Sequence, residues 1–243
     1  MKFSAPLLEA RLERRYQRFF ADCLLGDGRR VTAHCANTGA MTGCAEPGAT
    51  VWLKPAPAGT KRKLSYTWEL TAVMGGYICV NTAQPNQVVA EALRADMVPE
   101  LAGYAVLERE VRYGASRFDF RLSGPARPPC YVEVKSVTLL AADGSLRFPD
   151  AVTERGLKHL TELRAAHRAG ARAVMLFLVG RPDGAWFRAA EEIDPAYAEG
   201  LRDAAANGVE ILAYRTRISP EEITIGSPVA TADPRQANEG VLS

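Results

Sequence analysis

The chain has 243 residues, 47% hydrophobic and 24% charged, a composition that fits an ordinary globular protein with one large or two small domains rather than a fibrous or disordered chain. No apolar run approaches the roughly 20 residues that span a bilayer, and Ser4-Ala5-Pro6-Leu7-Leu8 meets Glu9 and Arg11 too soon for a leader, so a cytoplasmic protein without a membrane partner is expected. The net charge of +2 hides an asymmetry: residues 1–80 carry eleven Lys/Arg against six Asp/Glu, the remainder nineteen against twenty-two, which points to a polyanion-facing surface early in the chain.

Residues 1–82 read as short strands separated by turns. Arg18 to Leu25 is strand-like and ends at Gly26-Asp27-Gly28; Arg30 to Cys35 resumes it, and Thr50–Lys54, Tyr66–Leu70 and Tyr77–Val80 follow. Short strands at this spacing suggest a small barrel. Arg11, Arg15 and Arg18, with Lys61-Arg62-Lys63 just before Tyr66 and Trp68, interleave cations with aromatics as phosphate contact and base stacking require. The rival reading places Tyr66 and Trp68 in the barrel core and the charges in solvent. Asn37-Thr38-Gly39 and Gly43 form a loop in which backbone N–H groups can approach an anion, or merely a tight turn. It lacks the Gly-Lys-Ser/Thr ending of a nucleotide loop, so ATP is not indicated. Cys23, Cys35, Cys44, Cys79 and Cys130 are odd in number and widely spaced without a Cys-x-x-Cys pair, which favours reduced thiols over disulfides or zinc.

A second domain is expected over 83–225. Asn86 caps a predicted helix over Gln87–Arg94, and Ala105–Tyr113 reads as an edge strand. Phe118-Asp119-Phe120 alternates, Ser123-Gly124-Pro125 supplies a turn, and Tyr131–Val137 is a strand bounded by Pro128-Pro129. Asp150 opens a predicted helix whose Leu157, Leu160 and Leu163 pack inward, with Arg155 and His159 four apart on one face. Arg172–Val179 is a buried central strand, Asp194–Asn207 a helix stopped by Gly208, and Val209–Tyr214 the last strand. Alternating helices and strands give an α/β sheet with covered faces. From 226 to 243 the composition predicts a flexible tail.

The chemistry concentrates on one hairpin. Side chains two apart on a strand share a face, so Glu133 and Lys135 project together, and pairing with the preceding strand brings Asp119 beside them. Two carboxylates and an amine suit Mg²⁺ or Mn²⁺ and a polarised water, with the ammonium stabilising developing charge. Spacing alone also allows an exposed Glu–Lys pair worth ~0–1 kcal/mol.

Asp119 with Glu133-Val134-Lys135 resembles the Asp…Glu-x-Lys signature of the PD-(D/E)XK, restriction-endonuclease-like superfamily. Longer strings are more specific: His34 to Cys44, Tyr66-Thr67-Trp68-Glu69-Leu70, Ile78-Cys79-Val80-Asn81-Thr82 and Phe148 to Gly156 are similar to the sugar fermentation stimulation protein A family, from Met1 to about Ile218. The resemblance implies an OB-like barrel ahead of a nuclease-like α/β domain of mixed sheet and helices. It also implies DNA binding and a link to maltose and other sugar metabolism. In such a fold the first helix often carries an acid, which makes Glu91 a third metal candidate, and the helix beside the carboxylates brings Arg155, Lys158 or His159 to the scissile phosphate. Two functions stay open: a metal-dependent nuclease, and a non-catalytic DNA-binding regulator that keeps the nuclease fold. RNA remains an alternative polymer, and a homodimer is allowed but not required.

Overall fold

Nine residues of alternating basic and apolar character form the first strand, β1 (Leu8–Tyr16), in the computed structural model, which describes residues 1–125 and 127–231. Next come β2 (Phe20–Leu25), β3 (Arg30–His34), β4 (Thr50–Pro55), β5 (Tyr66–Val73) and β6 (Gly76–Cys79). They lie in the order β3-β2-β1-β4-β5-β6, and β3 also pairs with β5, which closes a five-stranded barrel with β6 appended. Period-two burial explains the closure: Ala10 and Leu12, then Ala21, Cys23 and Leu25, then Val51 and Leu53 all point inward. Trp68 fills the interior at 0% exposure, its indole N–H donating to the Leu70 carbonyl at 3.0 Å. It is core, not a stacking platform, while Tyr66 is half-buried against the same core. Gln17 and Arg18 take φ of 49° and 63°, the left-handed geometry that matches a tight hairpin to strand twist. Arg18 is therefore the exposed tip of a turn, not the start of the expected strand.

The helix α1 (Gln84–Arg94) begins earlier than expected because Pro85 fits its first turn. Asn86 thus lies inside the helix and caps nothing. Then follow β7 (Val106–Tyr113), β8 (Ser116–Gly124), β9 (Arg127–Val137), β10 (Leu139–Leu140), β11 (Ser145–Phe148), α2 (Glu154–Arg168) and β12 (Arg172–Val179). The remaining elements are β13 (Trp186–Ala189), α3 (Pro195–Ala206), β14 (Glu210–Ile218), β15 (Ile223–Pro228) and β16 (Ala230–Thr231). The main sheet runs β15-β14-β12-β9-β8-β7, parallel from β9 through β12 to β14 and antiparallel at both sides. Strand β9 passes through Pro128 and Pro129 because its pairing with β12 starts only at Cys130, where N–H groups are first needed. A second sheet, β10-β11-β13-β16, stands beside it.

Alternate residues of β9 and β12 feed two cores. Val132, Val134, Val174 and Leu176 pack with α1 and with Trp52 and Tyr77 from the barrel, so barrel and sheet share one apolar seam. Met175, Phe177 and Val179 pack with α2 and α3 through Leu160, Leu163, Tyr197 and Leu201. Residues 226–228 close β15 and Ala230–Thr231 form β16, joined by the buried Val229, in place of the expected flexible tail; 232–243 lie outside the described residues. Among the described residues no helix is long and apolar enough to cross a membrane.

Candidate functional site

Asp119 sits where β8 departs from regular pleating. Phe118 and Phe120 should share a face, yet Phe118 joins the α2–α3 core and Phe120 the α1 core. The ladder between β8 and β9 ends at the Phe120–Val132 pair, and the Asp119 carboxylate accepts the N–H of Val134 at 2.7 Å. On β7, Glu110 faces this point with φ of 55°. The other carboxylate oxygen of Asp119 accepts from the Asn86 amide at 2.6 Å, which ties β8 to the first turn of α1. Burial, with the neighbouring Glu133 carboxylate, pushes the Asp119 carboxyl up to about 6 against the pull of the Val134 N–H and the Asn86 amide.

Glu133 is 3% exposed. Its Oε1 meets two groups: the Lys135 ammonium at 2.6 Å and the imidazole Nδ1 of His159. Burial alone would raise this carboxyl, but His159 and Lys135 outweigh it and hold Glu133 below its ordinary value. Its Oε2 is buried and has no hydrogen-bond partner among the described residues. Lys135 also lies 3.2 Å from His159 Nδ1, and Arg155 Nε approaches His159 Nε2 at 3.5 Å. His159 is buried behind Glu133, where it orients that carboxylate, and it also lines a neighbouring cavity beside Lys158.

These groups open onto a cleft of about 520 Å³ between the sheet and the barrel, lined by Asp119, Glu133 and Lys135 on one side and by Arg18 and Asn37–Gly39 on the other. Arg155 and Asp150 complete its rim. Arg15 is half-buried and braces the barrel wall by donating to the carbonyls of Arg18, Asn37 and Gly39. It is a strut rather than a free phosphate contact. The loop is no anion cradle either, since the Gly39 N–H donates to Asn37 Oδ1. Gly39 lets the Asp150 carboxylate come close to the loop, since a Cβ there would force that side chain to move. Asp150 is not the cap of α2; Thr153 is, accepting from the Gly156 N–H at 3.0 Å.

The other expected residues fall elsewhere. Glu91 pairs with the Met1 amine at 2.8 Å and bonds Gln87, away from the cleft. Lys158 reaches the Ala115 carbonyl at 2.8 Å in a neighbouring cavity. Arg11 donates to the Gly48 carbonyl at the barrel surface, and Lys61, Arg62 and Lys63 are exposed on the β4–β5 loop. Asn86 and Asp150 are the site residues that sequence reasoning assigned to helix caps. Among the described residues no group of three or more His, Cys, Asp or Glu side chains is arranged to hold a metal, so a cation here would rest on two carboxylates and on water.

Comparison with known proteins follows the same division. Residues 14–80 match the family model described as the SfsA N-terminal OB domain, and residues 83–222 that of the sugar fermentation stimulation protein RE domain. Relatives called sugar fermentation stimulation protein homolog in Acidithiobacillus ferrooxidans and Paramagnetospirillum magneticum are 54% and 53% identical, over 90% and 94% of this chain and 95% and 97% of theirs. The solved structure of Pyrococcus furiosus SfsA, in complex with Ca²⁺, superposes with a TM-score of 0.86 at 27% identity, covering 96% of this chain and 98% of that one.

Proposed function

The chain belongs to the sugar fermentation stimulation protein family, and from that premise we propose that it is a divalent-metal-dependent nuclease hydrolysing phosphodiester bonds in DNA. One observation carries the reading: Glu133 Oε2 is buried beside Asp119 without a partner, although burying an unpaired carboxylate oxygen is costly. An oxygen-preferring cation satisfies it. Asp119 and Glu133 would hold Mg²⁺ or Mn²⁺, with waters completing the shell, and the ion would supply a polarised water and neutralise phosphate charge. The Ca²⁺ in the Pyrococcus furiosus relative supports a hard cation in this fold.

The chain's own groups have separable tasks. The Asn86 amide and Val134 N–H aim the Asp119 carboxylate, and His159 fixes Glu133 through Oε1, which leaves Oε2 for a cation. Lys135 lies beside Glu133 where its ammonium can meet a phosphate oxygen as negative charge grows there. Arg155 and Arg18 at the rim supply charge for the flanking backbone. Water adds to phosphorus, the P–O bond to the departing sugar oxygen breaks, and a phosphomonoester and a hydroxyl result. Five buried free thiols suit a reducing, cytoplasmic setting.

The test is cleavage of DNA and RNA with Mg²⁺ or Mn²⁺ by the wild type, Asp119→Ala and Lys135→Ala. Metal-dependent cleavage lost in both variants is expected. Tight, salt-sensitive binding without cleavage would overturn the enzyme and leave a DNA-binding regulator of sugar metabolism. Cleavage of RNA alone would change the polymer but keep the site.

A further inference from the structure

A second cavity adjoins the carboxylate cleft. It measures about 660 Å³ and is walled by the β7–β8 turn and the first turns of α2: Arg112, Ser116 and Arg117 from the former, Arg155, Lys158 and His159 from the latter. Arg155 lines both spaces, so the two are continuous around one guanidinium. Four cationic side chains thus converge on a concave surface. Two carboxylates stand at its edge: Glu110 pairs with Arg117 at 2.8 Å, and Glu162 accepts from the Ala115 N–H. Among the described residues neither Arg112 nor Arg155 enters an ion pair.

The hydroxyl of Ser116 adds an independent sign. Its Oγ is buried and has no hydrogen-bond partner among the described residues. A donor left unmatched inside a ring of cations asks for an anionic oxygen. Gly114, with φ of 54°, permits the tight turn that brings Arg112 and Arg117 to the same side, and the Lys158 ammonium locks that turn to α2 through the Ala115 carbonyl. The spacing suits a polymer: Arg155 and Lys158 are about one helical turn apart, the order of the step between neighbouring phosphates.

We propose that this cavity is a second phosphate subsite, in which Arg112, Ser116, Arg117 and Lys158 hold a non-scissile phosphate of the strand whose scissile phosphate lies at Asp119 and Glu133. The proposal rests on the nuclease reading above and gives the strand a direction, from the barrel wall past the carboxylates to the β7–β8 turn. It also assigns that turn to substrate grip, where Arg117 exchanges its partner Glu110 for phosphate.

The experiment follows fluorescence anisotropy of a labelled single-stranded oligonucleotide, with Asp119→Asn as the non-cleaving parent and Asp119→Asn/Arg112→Ala/Arg117→Ala as the variant, from 50 to 300 mM salt. The expected result is an affinity loss of about tenfold at low salt and a salt slope shallower by about one to two. Methylphosphonate links are then placed one at a time along the strand. One position outside the scissile link should weaken binding to the parent severalfold and leave the triple variant unaffected. Ser116→Ala should weaken binding by a few fold without lowering the melting temperature. Normal binding and slope in the triple variant overturn the subsite while leaving the nuclease reading intact. Failure of the parent itself to bind any oligonucleotide overturns both.

Discussion

Glu69 and Glu133 are both all but inaccessible, at 0% and 3% exposure, and each has a lysine close by, at 2.8 and 2.6 Å. Their second oxygens differ. At the joint between barrel and sheet, Glu69 meets Lys54 through Oε1 as an ion pair, while Oε2 accepts from the Asn81 and Gln84 amides at 2.8 and 2.7 Å. Its Oε1 meets only the Lys54 charge and, like Glu133 Oε2, accepts no hydrogen bond among the described residues, while the two amides on Oε2 staple β5 to the segment that enters α1. Glu133 receives His159 and Lys135 on one oxygen alone and leaves the other bare beside Asp119. The Glu69 oxygen that lacks a hydrogen bond still has the Lys54 charge against it, whereas the bare oxygen of Glu133 has neither hydrogen bond nor ion pair among the described residues and belongs to a residue that lines the cleft. The fold tolerates that bare oxygen because the Lys135 ammonium and the His159 hydrogen bond on Oε1 offset much of the desolvation.

The sharpest way to break this contrast is to exchange the fates of the two acids. Glu133→Gln and Asp119→Ala should each cut cleavage by about 10²–10³-fold in a single-turnover assay. Asn86→Ala removes only the amide that aims Asp119 and should cost about tenfold in activity. Because that hydrogen bond holds the Asp119 carboxyl down, its loss should also move the acid limb of the pH–rate profile to higher pH. Glu69→Ala strands the Asn81 and Gln84 amides and should cost about 1–3 kcal/mol of stability in a denaturant titration, with kcat unchanged below the new unfolding transition. A large fall in kcat there would erase the distinction. Smallest of all, Lys61→Ala/Arg62→Ala/Lys63→Ala should lower DNA affinity severalfold and flatten its salt dependence without touching single-turnover cleavage.

How far the sequence revealed this site depends on range. Asp119, Glu133 and Lys135 were legible because a hairpin turn and a period of two suffice to bring them together. Groups fixed by long-range packing were not. Asn86 and Asp150 precede helical patterns, the usual place of a cap, and only the approach of β8 and of the Gly39 loop shows their other partners. His159 has the spacing of a surface residue, yet the Glu133 carboxylate draws it into the interior. Glu91 sits on the expected helix but turns to the Met1 amine, a neighbour 90 positions away that no local pattern announces. The short strands β10, β11 and β16 carry too few residues for any periodicity, and β15 stays hidden because Gly226 and Pro228 imitate a loop. The barrel and the α/β sheet, built from longer alternating runs, were read correctly in kind.

The central claim is that the bare oxygen of Glu133, with Asp119, forms a divalent cation site. Titration calorimetry with Mn²⁺, in buffers of different ionisation enthalpy at pH 5.5 and 7.5, tests it most directly. With the Asp119 carboxyl raised to about 6, that group is mostly protonated at pH 5.5, so the account predicts one ion per chain, a proton release well above that at pH 7.5 though below one per ion, and tighter binding at the higher pH. Glu133→Gln should abolish it. Undiminished Mn²⁺ binding in Glu133→Gln, or no binding by the wild type at millimolar Mn²⁺, would contradict the account.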